Sequence, residues 1–196
     1  MSDELDVEKL KSEIRDVSLR RMKNHSCNDV VSLRDAAELE ERKSVVGQWL
    51  SLIFVSSPAV KMSFKSYYYT DDANYFTATA LGLEKVDSVT KEQVDDFIKE
   101  FCNLTAGAIK ESLELGGVKS LISLPLVTRG QDYIFFEVLE TKKNPLVLTD
   151  IWDLELNGHV ITCRVVFEIW DEEAMSKMVH SAFDADKDDD GEIDFF

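Results

Sequence analysis

Cysteine, histidine and proline are scarce in this 196-residue chain, which has three of each. Cys27, Cys102 and Cys163 are far apart and lack the spacing of metal ligands, which favours free or buried thiols in a reducing cytoplasm. The histidines are equally scattered, so no metal site and no histidine-based triad is predicted. No apolar run is long enough for a membrane helix, and the first ten residues lack a signal-peptide pattern. We therefore expect a cytoplasmic location.

The chain also has few positive charges. It contains 22 Lys and Arg residues and 38 Asp and Glu residues, which gives a net charge of -16. Nucleic-acid binding depends on neutralising phosphates with Lys and Arg, so this balance argues against it. It favours protein partners or cations. The length, with 44% hydrophobic residues, suits one globular domain with extensions, or at most two small domains.

The hydrophobic pattern predicts an α+β fold. We expect a helical extension within residues 1–33, a long helix over about 34–55, and paired strands in VKMSFKSYYYT and NYFTATALG around the turn DDA. A second long helix follows the capping box of Thr90 and Gln93 and ends at the two glycines of 116–117. Further strands are expected at about 119–127, 132–140, 145–156 and 159–170, the last two joined by an Asn-Gly turn at 157–158. This order predicts a two-layer structure in which two long helices cover an antiparallel sheet.

The second long helix contains a row of residues that its fold alone does not require. Asp96, Glu100, Asn103 and Gly107, here named the acid–amide stripe, cluster within an arc of about 60° on a helical wheel. The opposite, core-facing side holds Val94, Phe97, Ile98, Phe101, Leu104, Ala108 and Ile109. A solvated acidic face is the simplest interpretation, but it does not explain two poor helix formers, Asn and Gly. Gly permits close approach of another backbone, and Asn offers both a donor and an acceptor, so the stripe indicates a docking surface.

A weak internal repeat is visible when the chain is shifted by 60 residues. SPAVKMSF then falls on GVKSLISL, and Glu40, Lys43 and Gly47 fall on Glu100, Asn103 and Gly107. Chance similarity is the alternative, because the upstream apolar positions match poorly.

The pattern Asp96-x-x-x-Glu100-x-x-Asn103, with Gly107 and with Pro125 near the next predicted strand, resembles the signature of the CheC, CheX and FliY family of chemotaxis phosphatases. The gap from Asn103 to Pro125 holds 21 residues, one fewer than is usual. The resemblance covers roughly residues 34–172, which would be a CheX-like phosphatase domain. Residues 1–33 would be an N-terminal extension, and 173–196 a C-terminal helix with an acidic tail.

The resemblance implies removal of the phosphoryl group from the aspartyl phosphate of a CheY-like response regulator. It implies that Glu100 and Asn103 are catalytic and that Asn103 orients the attacking water, as Gln does in GTPases. Asp96 and Gly107 would be docking contacts. The chain would need no cofactor of its own, because the regulator holds Mg²⁺. CheX is the closer type, because its members generally have a single kind of site; Lys43 would mark a lost first site, and a homodimer is plausible.

The C-terminal DADKDDDGEIDFF is open to three interpretations. Asp186, Asp188, Asp190, Gly191, Ile193 and Asp194 match an EF-hand loop, but the chain stops before the bidentate Glu of position twelve. The segment is otherwise an acidic flexible tail, or a docking peptide whose Phe195 and Phe196 bind the response regulator. Two alternative functions follow: a receiver-docking module without catalysis, and a cation-responsive regulator that uses the tail.

Overall fold

The computed structural model describes residues 5–34, 47–129 and 144–181. Four α-helices and seven strands occur in these ranges. The helices are α1 (Val7–Ser26), α2 (Thr70–Ala80), α3 (Lys91–Leu115) and α4 (Glu172–Ser181). The strands are β1 (Ser32–Arg34), β2 (Trp49–Ser56), β3 (Val60–Tyr68), β4 (Leu121–Ile122), β5 (Leu126–Arg129), β6 (Leu146–Leu156) and β7 (His159–Ile169). Within the described ranges, no helix has the length and apolar character that crossing a membrane would require.

The strands form one antiparallel sheet in the order β1, β6, β7, β3, β2, β4, and β5 also pairs with β2. Alternate residues of the central strands β3 and β7 are buried, as expected for strands with one face on a core. Helices α1 and α3 cover this face. On β3, the Phe64 ring lies 5.9 Å from that of Phe101 in α3 and 6.1 Å from that of Trp152 in β6. The predicted two-layer arrangement with two long helices is confirmed.

Helix α1 belongs to the same hydrophobic core as the sheet. Leu10, Ile14 and Val17 are buried in it, and the Trp152 indole donates a hydrogen bond of 2.8 Å to Ser18 Oγ. Asp6 caps the helix by accepting from the Lys9 backbone N–H. The segment whose packing the sequence left open is therefore one of the two helices of the helical layer. The predicted boundaries at 33/34 and 172/173 stay predictions.

A bidentate ion pair also fastens α1 to the sheet. Arg15 donates from Nε and Nη2 to the two carboxylate oxygens of Asp150, at 2.7 and 2.6 Å, and the Asp150 side chain is only 2% exposed. Removing one partner of a buried pair leaves an uncompensated charge. We expect Arg15→Met to lower the free energy of unfolding by about 3 kcal/mol, as measured by urea denaturation. The double variant Arg15→Met/Asp150→Leu is the control, because it removes both charges; a cost as large as that of the single variant would contradict a charge origin.

Two predicted elements are wrong. The helix expected over 34–55 is replaced at its end by strand β2, and Arg34 lies in β1, while residues 35–46 lie outside the described ranges. Both faces of β2 are largely buried, so it lacks the alternation that identifies a strand. The strand expected in NYFTATALG is helix α2, whose buried Ala73, Phe76 and Thr77 have helical spacing.

The remaining predicted elements agree with the structure where it describes them. Thr90 and Gln93 form the capping box of α3, and the helix ends at Gly116. Asn157 and Gly158 both have positive φ, as a two-residue hairpin turn requires, and they join β6 to β7. The strand expected at 119–127 is divided into β4 and β5. The strand expected at 132–140 lies outside the described residues.

The pseudo-twofold repeat is present, but its register differs from the predicted shift of 60. Reversing the strand order exchanges the β2–β3 hairpin with the β6–β7 hairpin, and β1 with β4. In chain order, α1 corresponds to α3 and α2 to α4. The N-caps of α1 and α3, Asp6 and Thr90, are 84 positions apart. Glu40 and Lys43, which the shift of 60 pairs with the stripe, lie outside the described residues, and in the observed repeat the stripe is matched by residues of α1 instead.

Candidate active site

The acid–amide stripe lies on the outer side of α3, as predicted. Asp96 and Glu100 are exposed, whereas Asn103 and Gly107 are half-buried. The Asn103 amide Nδ2 donates to Glu100 Oε2 at 3.4 Å, so the two side chains lie side by side one turn apart. The amide oxygen of Asn103 has no hydrogen bond to Glu100, so it can accept a hydrogen bond from another molecule. The stripe therefore presents a carboxylate and a carboxamide together.

Gly107 makes the C-terminal part of the stripe flat. Apart from the backbone of its own helix, a methyl group placed on its Cα would have no atom of the described residues within 4 Å. Packing among the described residues therefore does not require a glycine at 107, and its helical backbone does not require one either, because its φ is not positive. A glycine that costs helix stability without an internal reason fits a surface that another molecule approaches.

The opposite side of α3 fixes the stripe by packing on the sheet. Phe97, Ile98, Phe101 and Ile109 are buried as predicted, while Leu104 is only half-buried. Cys102, next to Asn103 in sequence, is fully buried, and its Sγ lies 3.4 Å from Ser66 Oγ of β3. Burial raises the pKa of the Cys102 thiol to about 11. This thiol stays protonated at neutral pH, so it is not a nucleophile for the site.

His25, in the last turn of α1, is a neighbour of the stripe that sequence reasoning did not connect with it. Its ring stacks on Phe97 with 4.4 Å between centroids, and Nε2 lies 2.9 Å from the Phe97 carbonyl oxygen. Burial lowers the pKa of His25, although the Phe97 carbonyl and the Glu100 carboxylate oppose this effect. His25 thus holds the end of α1 against the turn of α3 that carries Glu100. This proximity depends on the packing of α1 on α3, which brings together residues 72 positions apart and which no local pattern indicates.

The lowered pKa of His25 predicts a pH dependence of stability. Below about pH 6.5, its pKa in the unfolded chain, the unfolded state takes up more protons at this site than the folded state. The contribution of His25 is therefore complete above that pH and decreases as the pH falls toward the lowered folded value. We expect the free energy of unfolding, measured by urea denaturation, to fall less between pH 7 and pH 5.5 in His25→Gln than in the unchanged chain. If the free energy of unfolding changes equally with pH in both chains, the prediction is contradicted.

The pseudo-twofold counterpart of the stripe on α1 lacks its chemistry. When the N-caps are aligned, buried Leu10, Ile14, Val17, Ser18 and Met22 match buried Val94, Ile98, Phe101, Cys102 and Ala106. The same alignment places Asp16 on Glu100, Leu19 on Asn103 and Lys23 on Gly107. At these positions α1 keeps an acid but has Leu in place of the carboxamide and Lys in place of the glycine. Within the described helices, the full stripe occurs on α3.

The other predicted site residues are less informative. Pro125 lies directly before β5, and both β4 and β5 contact α3. Phe195 and Phe196 lie outside the described residues. In the ranges 5–34, 47–129 and 144–181, no group of three or more His, Cys, Asp or Glu side chains is placed to hold a metal ion.

Comparison with known proteins agrees with the signature on α3. A family model described as chemotaxis phosphatase CheX matches residues 69–147, which include α2, α3 and the whole stripe. A search of curated proteins found no match. The resemblance to the CheC, CheX and FliY family is confirmed, and CheX is the branch whose model matches.

Solved structures of this kind share the fold at low sequence identity. A CheC-like superfamily protein from Shewanella sp. PV-4 has a TM-score of 0.58 at 19% identity, over 84% of this chain and 99% of that chain. Chemotaxis protein CheX from Vibrio vulnificus has a TM-score of 0.58 at 15% identity, over 80% and 95%. A CheX from Borrelia burgdorferi, solved in a complex with CheY, BeF3 and Mg²⁺, has a TM-score of 0.55 at 16% identity, over 81% and 96%. The chain therefore has the CheC/CheX-like fold.

Proposed function

We propose that the chain is a phosphatase that removes the phosphoryl group from the aspartyl phosphate of a CheY-like receiver domain. The observation that supports it most directly is the pairing of Glu100 and Asn103 on the outer side of α3. This pair and Gly107 lie within the residues that the CheX family model matches. A similar CheX has been solved in a complex with CheY and Mg²⁺.

Asn103 would supply the group that positions the attacking water. An aspartyl phosphate is already activated, and Mg²⁺ held by the receiver would neutralise its oxygens. What remains is to place a water molecule in line with the phosphorus atom. The amide oxygen of Asn103 would accept from this water while the amide nitrogen donates to a phosphoryl oxygen. Most of the rate gain would then come from orientation rather than from proton transfer.

Glu100, Asp96 and Gly107 would position the two proteins. In the free chain the Asn103 amide donates to Glu100. When a cationic side chain of the receiver, such as a lysine at its active site, pairs with Glu100, the Asn103 nitrogen becomes available for the phosphoryl group. Asp96, exposed one turn before Glu100, would be a secondary docking contact, and Gly107 would let a receiver loop approach α3. Because a wrong partner leaves Glu100 unpaired at the interface, the carboxylate also contributes to specificity.

Single-site chemistry follows from the asymmetry of the two halves. Helix α1 has Leu19 and Lys23 where α3 has Asn103 and Gly107. These two positions of α1 therefore lack the carboxamide that would accept from a water and the glycine that would permit close approach, so among the described helices only α3 would act on a receiver. A homodimer, if it forms, would contain two equivalent sites.

Phosphate release from phosphorylated receivers tests the proposal. Purified CheY-like receivers of the source organism would be phosphorylated with a small-molecule donor in Mg²⁺, and phosphate release measured with and without the chain. We expect one receiver to lose its phosphoryl group faster with catalytic amounts of the chain. Calorimetry of the same pair measures binding. Binding without faster release would replace the proposal with a non-catalytic docking module.

A further inference from the structure

A cleft of about 230 Å³ lies where β2, β3, α2 and the start of α3 meet. Its apolar walls are the side chains of Trp49, Tyr68, Val89 and Val94. A cavity of roughly 150 Å³ is enough to bind benzene, so this cleft has room for one aromatic side chain. It lies on a different side of α3 from the acid–amide stripe, and the proposed function does not use it.

The charges around the cleft favour an acidic occupant. Lys91 Nζ lies 4.9 Å from the centroid of the Trp49 ring, and the Arg129 guanidinium carbon lies 5.4 Å from it. Lys91 and Asp95 both line the cleft, and Arg129 adds a second cation at the Trp49 ring. The Trp49 indole donates a hydrogen bond of 3.2 Å to Thr70 Oγ1, which fixes the ring that both cations contact. An aromatic side chain with a neighbouring carboxylate matches these walls and this rim.

Tyr68 adds a polar group whose bonding is incomplete. Its side chain is 2% exposed, and within the described residues its hydroxyl has no hydrogen-bond partner. A buried hydroxyl is normally paired, since leaving it unpaired costs stability. Because this hydroxyl is itself shielded from solvent, an occupant of the cleft would contact the Tyr68 ring rather than the O–H.

We propose that the cleft binds residues 192–196 of the same chain, Glu-Ile-Asp-Phe-Phe. A phenyl ring of Phe195 or Phe196 lies against Trp49, and Asp194 lies near Lys91 and Arg129. Residues 182–196, outside the described structure, contain seven acidic residues and one lysine, followed at the end by the two phenylalanines. The segment therefore combines the negative charge and the aromatic group that the cleft accepts. This inference goes beyond the proposed function and does not depend on it.

The connecting chain is long enough to reach the cleft. Met178 of α4 lies beside the C-terminal end of α3, because a methyl group on Gly116 would fall 2.7 Å from the Met178 Cα. Helix α3 has 25 residues and is therefore about 37 Å long, and the cleft is at its other end. The 14 residues from Ser181 to Phe195 extend up to about 46–50 Å. The segment can thus run the length of α3 and place its aromatic residues in the cleft.

Photo-crosslinking of the full chain tests this placement. A benzophenone amino acid at position 196, in the chain Phe196→p-benzoylphenylalanine, is irradiated, and the crosslinked peptides are identified by mass spectrometry. We expect crosslinks within one molecule to peptides containing Trp49, Val89 or Val94. The matched variant Lys91→Glu should lower their yield at least fivefold, since the reversed charge repels the segment. Crosslinks elsewhere on the chain, between two copies, or to an added receiver alone would each overturn the proposal.

The three tryptophans give an independent readout. Indole N–H signals of the full chain are compared by NMR with those of Phe195→Ser/Phe196→Ser. We expect the Trp49 signal to shift and the signal of Trp152, which is fully buried in the core, to stay in place. An unchanged Trp49 signal would overturn the proposal. Neither experiment measures phosphate release, so their outcome is separate from that of the proposed phosphatase activity.

Discussion

With the Asn103→Ala variant, we expect receiver dephosphorylation to be slower than with the unchanged chain by a factor on the order of 10². The affinity for the receiver should change little. The truncation removes both the acceptor for the water and the donor to the phosphoryl oxygen. The helix is not expected to suffer, because Ala is a better helix former than Asn and the Asn103 side chain is only half-buried. Single-turnover phosphate release, at receiver concentrations above and below the Kd from calorimetry, separates the rate of the chemical step from binding.

The controls for Asn103→Ala distinguish chemistry from folding. Asn144→Ala makes the same change at an exposed position outside α3, directly before Pro145 and β6, and should leave the rate unchanged. Glu100→Gln removes a charge but keeps the shape, so it should weaken receiver binding. An Asn103→Ala variant that releases phosphate as fast as the unchanged chain would assign the water-orienting role to another group.

Local patterns were sufficient for the helix that carries the site. The spacing of Val94, Phe97 and Phe101 and the capping box at Thr90 both specify α3, and the exposed stripe follows from the same periodicity. The Asn-Gly turn at 157–158 and the two long strands beside it were predictable for the same reason. In each of these segments the intrinsic propensity, the hydrophobic pattern and the turn residues all indicate the same element, so tertiary packing does not change it.

The errors have physical causes in individual segments. Tyr75, Phe76 and Thr77 have high strand propensity, but burial of Phe76 and Thr77 on one side makes a helix. Residues 49–56 form a strand covered on both faces, whose continuous apolar run is also compatible with a buried helix. The repeat has no single offset, because the shift is 84 between the N-caps of α1 and α3 but 99 between the first residues of β3 and β7. A constant shift of 60 could therefore not align the two halves.

Proximity between distant segments was the information that the sequence lacked. His25 lies against Phe97 because α1 packs on α3, and the cleft at Trp49 requires β2, β3, α2 and α3 together. Pairwise contacts of this kind depend on the fold as a whole. The stripe could be predicted because all of its members lie on one helix.

Gly107→Leu should have opposite effects on folding and on function. Replacing a glycine on the outer side of a helix by leucine stabilises the helix by about 0.5–1 kcal/mol. Outside the helix's own backbone, no atom of the described residues lies within 4 Å of the new Cβ to oppose this gain. The free energy of unfolding of the chain alone should therefore rise. Receiver binding should weaken at least tenfold, about 1.4 kcal/mol, because the leucine side chain occupies the space through which the partner approaches the stripe.

Gly107→Ala separates the two effects, since it gives most of the helix stabilisation while adding a single methyl group. We expect its receiver affinity to lie between those of Gly107→Leu and the unchanged chain. Urea denaturation and calorimetry on the three chains provide both quantities. If Gly107→Leu is more stable and binds the receiver as tightly as the unchanged chain, then the partner does not approach α3 at position 107. Such a result would leave Glu100 and Asn103 without the flat surface that the proposed docking requires, so the receiver would have to reach Asn103 from the Asp96 end of the stripe.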